Sequence, residues 1–358
     1  MNSIVAVAMS GGLDSSAAAA LLQDKGYEVI GLTAKTWPSG SRCCSDEDIH
    51  RAKRVAAHLG IPHYVVELSE PFESRVVRYF ADEYAAGRTP SPCVVCNRYI
   101  KFGELLEKSA ALGASRLATG HYARIVGSSE GHWNLLRGVD REKDQSYFLF
   151  DLAQETLARV LLPLGNMKKE EAKLVALQRD LPVFDRRESQ DLCFVEPGGH
   201  WRLAEQYRPD VCREGKLVDR NGRILGEHSG VHRFTIGQRK GLGVAAGHRL
   251  YVSRLDAENN TVLLSERKDL FSDRLVAERV RWTDGIVRRE PFSAHTRIRY
   301  NHEPALSVVM PLDDGSVEVC FKEGQFAVTP GQAAAFYGED KLFGGGWIAC
   351  SQQEEGER

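Results

Sequence analysis

No apolar run in the sequence approaches the ~18 residues that a membrane span needs, so nothing in it reads as a transmembrane helix. The apolar start, Ile4 to Met9, lacks a basic flank and runs straight into Ser10-Gly11-Gly12, which makes it a strand and not a signal peptide. The chain is therefore expected in the cytoplasm. An excess of charge is also missing: Lys+Arg 47 against Asp+Glu 49 leaves −2, and the total does not announce a nucleic-acid binder. Eight cysteines in 358 residues are too few for a disulfide scaffold; in a reducing compartment clustered cysteines point to catalysis or metal binding. There is no internal repeat and no low-complexity tract. With 42% hydrophobic and 27% charged residues, disordered and collagen-like chains are excluded.

What is present fits two or three domains, since the chain is too long for one core. The first third alternates strand and helix patterns: Ile4–Ala8, then an Ala/Leu-rich helix over Ser15–Lys25, a strand at Glu28–Ala34, and a helix opened by a Ser45-Asp46-Glu47-Asp48 capping box and ended by Gly60 and Pro62. Tyr64–Leu68 reads as a strand, and Ser74–Ala86, Ile100–Leu112, Gln154–Leu161 and Lys168–Gln178 as helices. Such alternation implies βαβ units and a parallel sheet covered on both faces. Ligands then sit at the carboxyl ends of strands, so the loops after Ala8, Ala34 and Thr119 are expected to converge. After Pro197 glycine becomes frequent, long helical periodicity disappears, and Asn221-Gly222, Asn259-Asn260 and Asp313-Asp314-Gly315 mark turns between β-type runs. The expected division is a catalytic α/β domain with a helical extension (1–196), a small central β domain (197–268), a C-terminal β-barrel-like domain (269–352) and a frayed tail (353–358).

The strongest local signal is Ala8-Met9-Ser10-Gly11-Gly12-Leu13-Asp14-Ser15-Ser16, between the first strand and the first helix. Two glycines let the backbone curl around phosphates, and the helix aims its positive end at the same point. Ser10, Ser15 and Ser16 add hydroxyls, and Asp14 is a candidate Mg2+ ligand. The Walker lysine is absent, which disfavours a standard P-loop ATPase. The stretch resembles the SGGxDS pyrophosphate loop of ATP pyrophosphatases that adenylate a substrate; the plain alternative is a glycine turn between strand and helix.

Cys93 and Cys96 form a CxxC, and Cys193 lies far downstream in Ser189-Gln190-Asp191-Leu192-Cys193-Phe194. A lone CxxC is shared by zinc sites, redox pairs and iron–sulfur sites, and no second CxxC or CxxH completes a closed zinc site. Cys43-Cys44 reads as structural or incidental, and Cys212, Cys320 and Cys350 as small buried or surface residues.

Seven motifs then occur in order: the phosphate loop; Thr89-Pro90-Ser91-Pro92-Cys93 running on to Cys96-Asn97 and Ile100-Lys101-Phe102; Ala118-Thr119-Gly120-His121-Tyr122; Lys143-Asp144-Gln145-Ser146-Tyr147-Phe148; the Cys193 segment; Gly237-Gln238-Arg239-Lys240; and Thr329-Pro330-Gly331-Gln332. Together they resemble the tRNA-specific 2-thiouridylases, which thiolate the wobble uridine of certain tRNAs, over nearly the whole chain. The resemblance implies an N-terminal Rossmann-like parallel sheet of the adenine-nucleotide hydrolase (PP-loop) type, followed by two small mainly-β domains. ATP would lie on Ala8, Met9, Ser10, Gly11, Gly12, Leu13, Asp14 and Ser15, with adenine near Ala34 and Gly120. The base would be held near Ser91, Pro92 and Cys93. Cys193 matches the persulfide carrier and Cys96 the second catalytic cysteine. His121, Lys143, Asp144, Gln145, Arg299, Tyr300 and Gln332 match positions that contact tRNA.

Some members of the family carry Asp where this chain has Cys93. Three cysteines can ligate three irons of a 4Fe–4S cluster and leave the fourth open, so Cys93, Cys96 and Cys193 stand either as cluster ligands or as a persulfide–disulfide system. The implied partners are the tRNA anticodon arm and a persulfide-relay protein or sulfide as sulfur donor; DNA and membranes are not expected. The basic strip Arg233, Arg239, Lys240, Arg249 and Arg254, with Arg279, Arg281, Arg288, Arg289, Arg297 and Arg299 beyond it, is expected to hold RNA phosphates. The competing readings are another adenylating enzyme, such as an amidating synthetase or a lysidine-type tRNA ligase, and a nucleotide-gated RNA-binding protein without catalysis.

Overall fold

Val5, Ala6 and Val7 are fully buried at the centre of the first strand, as a strand covered on both faces requires. The computed structural model describes residues 3–36, 46–183, 192–195 and 199–352. Ser45, Cys43, Cys44, Asp191 and the tail after 352 lie outside the described residues. The strands of the first half are β1 (Ile4–Ala8), β2 (Glu28–Lys35), β3 (His63–Glu67), β4 (Arg116–Ala118), β5 (Ala123–Gly127), β6 (Trp133–Arg137) and β7 (Val160–Leu161). Five of them form a parallel sheet in the order β3-β2-β1-β4-β7. The helix α1 (Leu13–Asp24) lies on it through Ala19 and Ala20, while Ala17 and Ala18 pack with Tyr122, Leu164 and Ala172, all four alanines being 0% exposed; side chains this small let helix and sheet approach closely. The helix α2 (Asp46–Leu59) buries Ala52, Val55 and Ala56 in the same core.

The structure departs from the expected elements in three places. The helix expected over Gln154–Leu161 stops at Leu157, and Val160–Leu161 becomes β7, paired to Leu117 and Ala118. β-branched Val160 and the vacant edge of β4 decide for the strand over local helical propensity. After Pro197 a further helix, His200–Tyr207, precedes the β-type runs. The expected helix from Ile100 begins much earlier, as a turn at Pro92–Val95 followed by a π-helical stretch Cys96–Glu104 and Leu105–Ala111.

Strands Gly215–Val218, Ile224–His228, Tyr251–Asp256 and Thr261–Ser265 make a separate four-stranded sheet. The turn at Arg220-Asn221-Gly222 uses Gly222 at φ 78, a region open to glycine at little cost. The C-terminal strands form a barrel in which Phe271–Arg281 pairs both with Val317–Phe326 and with Lys341–Gln352. The β5–β6 hairpin joins this barrel, not the parallel sheet: Leu136 pairs with Lys341 and Leu135 with Leu342. The chain thus leaves the parallel sheet at Ala118, passes Gly120 and His121, and enters the barrel sheet at Ala123.

Candidate active site

The phosphate loop is built by its own hydroxyls. Ser10 N donates to Ser15 Oγ at 3.2 Å, and Ser16 Oγ donates to Gly12 O at 2.8 Å. Met9 N donates to Leu32 O at 2.7 Å, and Thr33 Oγ1 donates to Met9 O at 2.8 Å, so the loop is tied to the end of β2. Gly11 has φ 72, and a Cβ there would sit 2.7 Å from both Arg51 Cβ and Asp48 O. Gly120 closes the opposite side: its Cβ would lie 2.8 Å from Asp14 C and 2.9 Å from Ser15 N. The loops after β1 and β4 therefore meet, while the loop after β2 passes outside the described residues at 37.

The loop's missing lysine arrives from elsewhere. Lys169, on the helix Lys169–Gln178 packed beside α1, places Nζ 2.8 Å from Asp14 Oδ1 and 2.7 Å from Oδ2, and its side chain is only 12% exposed. Tyr122 OH donates to Asp14 Oδ1 at 2.7 Å. Lys169 and Tyr122 thus fix the orientation of the Asp14 carboxylate. Sequence reasoning missed Lys169 because no local motif marks it; the ion pair spans 155 positions.

Ser91 is buried, and Ser91 N lies 3.5 Å from Tyr79 OH, whose ring stands edge-on to Trp347 at 5.8 Å. Pro92 opens the helical turn carrying Cys93, and Cys96 starts the π-helical stretch; both are partly exposed. Stretches of this kind are frequent at functional sites. Asn97 Nδ2 donates to Phe148 O at 3.1 Å, and Arg98 pairs with Asp151 at 2.8 Å, which holds the stretch against the next segment. Cys193 is also partly exposed, and its neighbour Phe194 packs edge-on against Phe72 at 5.5 Å and Phe80 at 5.4 Å. Cys96 and Cys193 border the same hydrophobic core.

Residues matched to tRNA contacts divide into two groups. Lys143 lies on a turn, Arg299 donates to Phe326 O at 2.9 Å, and Tyr300 stacks on Phe148 at 4.5 Å. Gln145 Oε1 accepts from Tyr122 N at 3.0 Å. His121 is 8% exposed with Nδ1 2.7 Å from Thr119 Oγ1, and burial, reinforced by Lys101, holds its pKa well below the ordinary histidine value. Asp144, matched to an RNA contact by the resemblance, is tied to protein groups. It is 1% exposed, and its carboxylate accepts from Gly138 N (3.0 Å), Ser146 N (3.1 Å), Ser146 Oγ (3.1 Å), Arg297 (3.2 Å) and Arg137 (3.4 Å). Its role is to bind β6 to the barrel.

The expected basic surface divides in the same way. Arg281, Arg288 and Arg297 serve buried Asp151, Asp284 and Asp144, and Arg233 pairs with Glu205 while lying over the Trp201 ring at 4.2 Å. Arg239, Lys240, Arg249, Arg254, Arg279 and Arg289 are exposed. Among the described residues, the His/Cys/Asp/Glu set gathered tightly enough for a single ion is Glu205, Cys212 and His232; the Arg233 guanidinium already occupies Glu205.

Family models match the whole arrangement in order: the model described as tRNA methyl transferase HUP domain over residues 3–197, the tRNA methyl transferase PRC-barrel domain over 204–266, and the aminomethyltransferase beta-barrel domain over 272–348. Fold and site together define a HUP-domain enzyme with a PP-loop and two appended β modules. The tRNA-specific 2-thiouridylase MnmA of Geobacter metallireducens is 47% identical over 360 residues, covering 98% of each chain. That of Geotalea uraniireducens is 46% identical over 354 residues, covering 96% of this chain and 94% of its own. The chain belongs to the tRNA-specific 2-thiouridylase family. Among solved structures, the U34-tRNA thiolase NcsA from Methanococcus maripaludis with its 4Fe–4S cluster matches 58% of this chain and 71% of its own at TM-score 0.37 and 18% identity. NMN synthetase from Francisella tularensis matches 58% of this chain and 77% of its own at TM-score 0.34 and 17% identity.

Proposed function

We propose that this protein catalyses ATP-dependent 2-thiolation of the wobble uridine in the anticodon of tRNAs of the glutamate, glutamine and lysine type. The observation that carries the reading is one N-terminal domain holding both a phosphate loop backed by Lys169 and three partly exposed cysteines, in a chain of this family. ATP lies on Ala8–Ser15 with adenine toward Gly120 and Ala34, and Mg2+ arrives with its phosphates. The uracil C2 oxygen, with the base held near Ser91, Pro92 and Cys93, attacks the α-phosphate and pyrophosphate leaves. A poor leaving group thereby becomes AMP. Backbone N–H groups of the loop and the α1 terminus receive the charge that develops on the departing pyrophosphate.

Sulfur then replaces AMP. In one reading a persulfide on Cys193 attacks C2 through its terminal sulfur and AMP departs. Cys96 thiolate attacks Cys193 Sγ, releasing the thiolated base and leaving a Cys96–Cys193 disulfide, which an external dithiol reduces. Cys93 favours a second reading. Three partly exposed thiols, two of them on one helical segment, are a donor set that fits a 4Fe–4S cluster with one open iron. When bound, such a cluster would supply a site for hydrosulfide, and Cys93, Cys96 and Cys193 would hold it.

The RNA is held through Lys143, Arg299 and Tyr300 and through the exposed Arg239, Lys240, Arg249 and Arg254, and His121, Asp144 and Gln145 position the elements beneath them. The sulfur donor is a persulfide-relay protein or sulfide, and the setting is cytoplasmic; no helix among the described residues is long and apolar enough to cross a membrane. The test is anaerobic thiolation of unmodified glutamate tRNA with Mg-ATP, using iron-reconstituted protein with sulfide and iron-free protein with a persulfide donor. Detection of 2-thiouridine in the digest supports the reading, and its absence in both arms removes it. Full activity of Cys93→Ser without iron removes the cluster reading.

A further inference from the structure

Three hydrogen bonds join the C-terminal barrel to the loop that leads into the cysteine helix. Gln332 Nε2 donates to Thr89 O at 3.1 Å and to Pro90 O at 2.9 Å, and Thr89 N donates to Pro330 O at 2.9 Å. Between Pro330 and Gln332, Gly331 stands at φ 89, and a Cβ there would lie 2.8 Å from Thr89 O, 2.9 Å from Arg88 Cβ and 3.0 Å from Glu83 Oε2. Glycine is what lets the turn reach the loop. Arg88 is fixed in turn by Glu83 through bonds of 2.7 and 2.6 Å.

On the barrel side the clamp is rigid. Gly331 N donates to Ile348 O at 2.8 Å and Ile348 N donates to Gln332 O at 2.8 Å, so the Gln332 backbone belongs to the strand framework. Its side-chain nitrogen serves two consecutive carbonyls. Pro90 is followed at once by Ser91 and Pro92, and proline fixes its own φ and restricts the residue before it. Pinning the Thr89 and Pro90 carbonyls therefore sets the direction in which the Pro92–Val95 turn leaves, and with it the placement of Cys93 and Cys96.

We infer that Gln332 is a positioning residue: it acts through Thr89 and Pro90 to hold the base loop and the cysteine helix in register, and so couples the barrel, where RNA docks, to the sulfur-transfer site. This deepens the thiolation reading and rests on it. The amide nitrogen is committed to these protein carbonyls, so the RNA contact that the resemblance implies for Gln332 would fall to Oε1.

The test compares wild type, Gln332→Ala and Gln332→Glu. At saturating tRNA, Gln332→Ala is expected to slow pyrophosphate release and thiolation about tenfold, the scale of a lost alignment. Gln332→Glu loses more, because its carboxylate faces two carbonyl oxygens. The Kd for tRNA by filter binding stays within about twofold, since the RNA-facing cations are untouched. Alkylation of Cys93 and Cys96 by iodoacetamide, followed by mass spectrometry in the tRNA-free enzyme, becomes faster in both variants. Weakened tRNA binding with a wild-type rate at saturation overturns the inference in favour of an RNA contact, and unchanged alkylation overturns it outright. A wild type that releases no pyrophosphate with tRNA defeats the thiolation reading instead, while the alkylation result still decides the clamp.

Discussion

Lys169 Nζ rests between the two carboxylate oxygens of Asp14, at 2.8 and 2.7 Å, and so brings a cation to a phosphate loop that has none of its own. When a triphosphate enters, the ammonium has a stronger partner available than one carboxylate, and Asp14 keeps it aimed until then. Lys169→Ala is expected to lower tRNA-dependent pyrophosphate release about 10²–10³-fold, the usual effect of removing one preorganised electrostatic donor. Asp14→Asn should slow the same step while leaving tRNA affinity unchanged. Pyrophosphate release by Lys169→Ala at the wild-type rate would show that the lysine serves only to hold Asp14.

Gly120 predicts a sharper effect from a smaller change. A methyl group there would fall 2.8 Å from Asp14 C and 2.9 Å from Ser15 N, both of them main-chain atoms that cannot rotate away. Gly120→Ala must displace the start of α1 and the loop before it. The expected result is at least about tenfold weaker ATP binding, since a misplaced cradle loses several N–H contacts together. Isothermal titration with a non-hydrolysable ATP analogue measures it, and wild-type affinity would refute the close approach.

Asp144 carries a stability prediction. Its carboxylate lies between Arg137 and Arg297, whose side chains are 18% and 10% exposed. Asp144→Asn keeps the size and removes the charge, leaving two cations with little water around them. Breaking one member out of a buried ionic cluster costs about 3–5 kcal/mol, to be read as a lower urea midpoint at pH 7.5. A midpoint equal to wild type would mean that the arginines find water or another acceptor.

Five histidines give the fold a defined response to acid. His63, His121, His200, His228 and His302 all have lowered pKa values, burial being the first cause in each case. They are neutral in the fold, whereas the unfolded chain takes up protons near the ordinary value of about 6.5. Above that value both states are neutral and nothing is lost. As pH falls below it the unfolded state binds more protons, so stability declines toward the lower folded values. Asp284 acts in a separate window: burial alone would raise its pKa, but Arg288 and Lys341 prevail and lower it, so its contribution fades only below the ordinary carboxylate range. The urea midpoint is expected to drop between pH 7.5 and 5.5, and His121→Gln should flatten that drop. A midpoint flat over this interval in the wild type would contradict the buried neutral state.

The parts legible in sequence were those written in short-range patterns. The β1-loop-α1 unit shows itself through an apolar run, two glycines and an alanine-rich helix within about twenty positions, and the hairpin at Asn221-Gly222 through its turn residues. The departures were non-local. Val160–Leu161 becomes a strand because β4 offers an edge, and β5–β6 joins the barrel because Lys341 and Leu342 offer another. No window around residue 130 contains that information. Lys169 is invisible for the same reason, and the arginines on Asp144, Asp151 and Asp284 look like phosphate contacts until their buried partners are seen.

The cysteines separate the two halves of the proposed reaction. Adenylation needs the phosphate loop and a docked base, and no thiol takes part in pyrophosphate departure. Sulfur transfer needs a soft nucleophile, which serine cannot replace because an alcohol neither carries a persulfide nor ligates iron well. Cys193→Ser and Cys96→Ser differ from wild type by one atom each at partly exposed positions, so the Phe194 anchor in the core is kept. Both variants are expected to release pyrophosphate within about threefold of wild type while 2-thiouridine falls by more than about a hundredfold, as removal of a covalent nucleophile requires. Parallel loss of both products would place the cysteines in the adenylation step. Retention of both products in Cys193→Ser would leave an adenylating enzyme whose nucleophile comes from outside the chain.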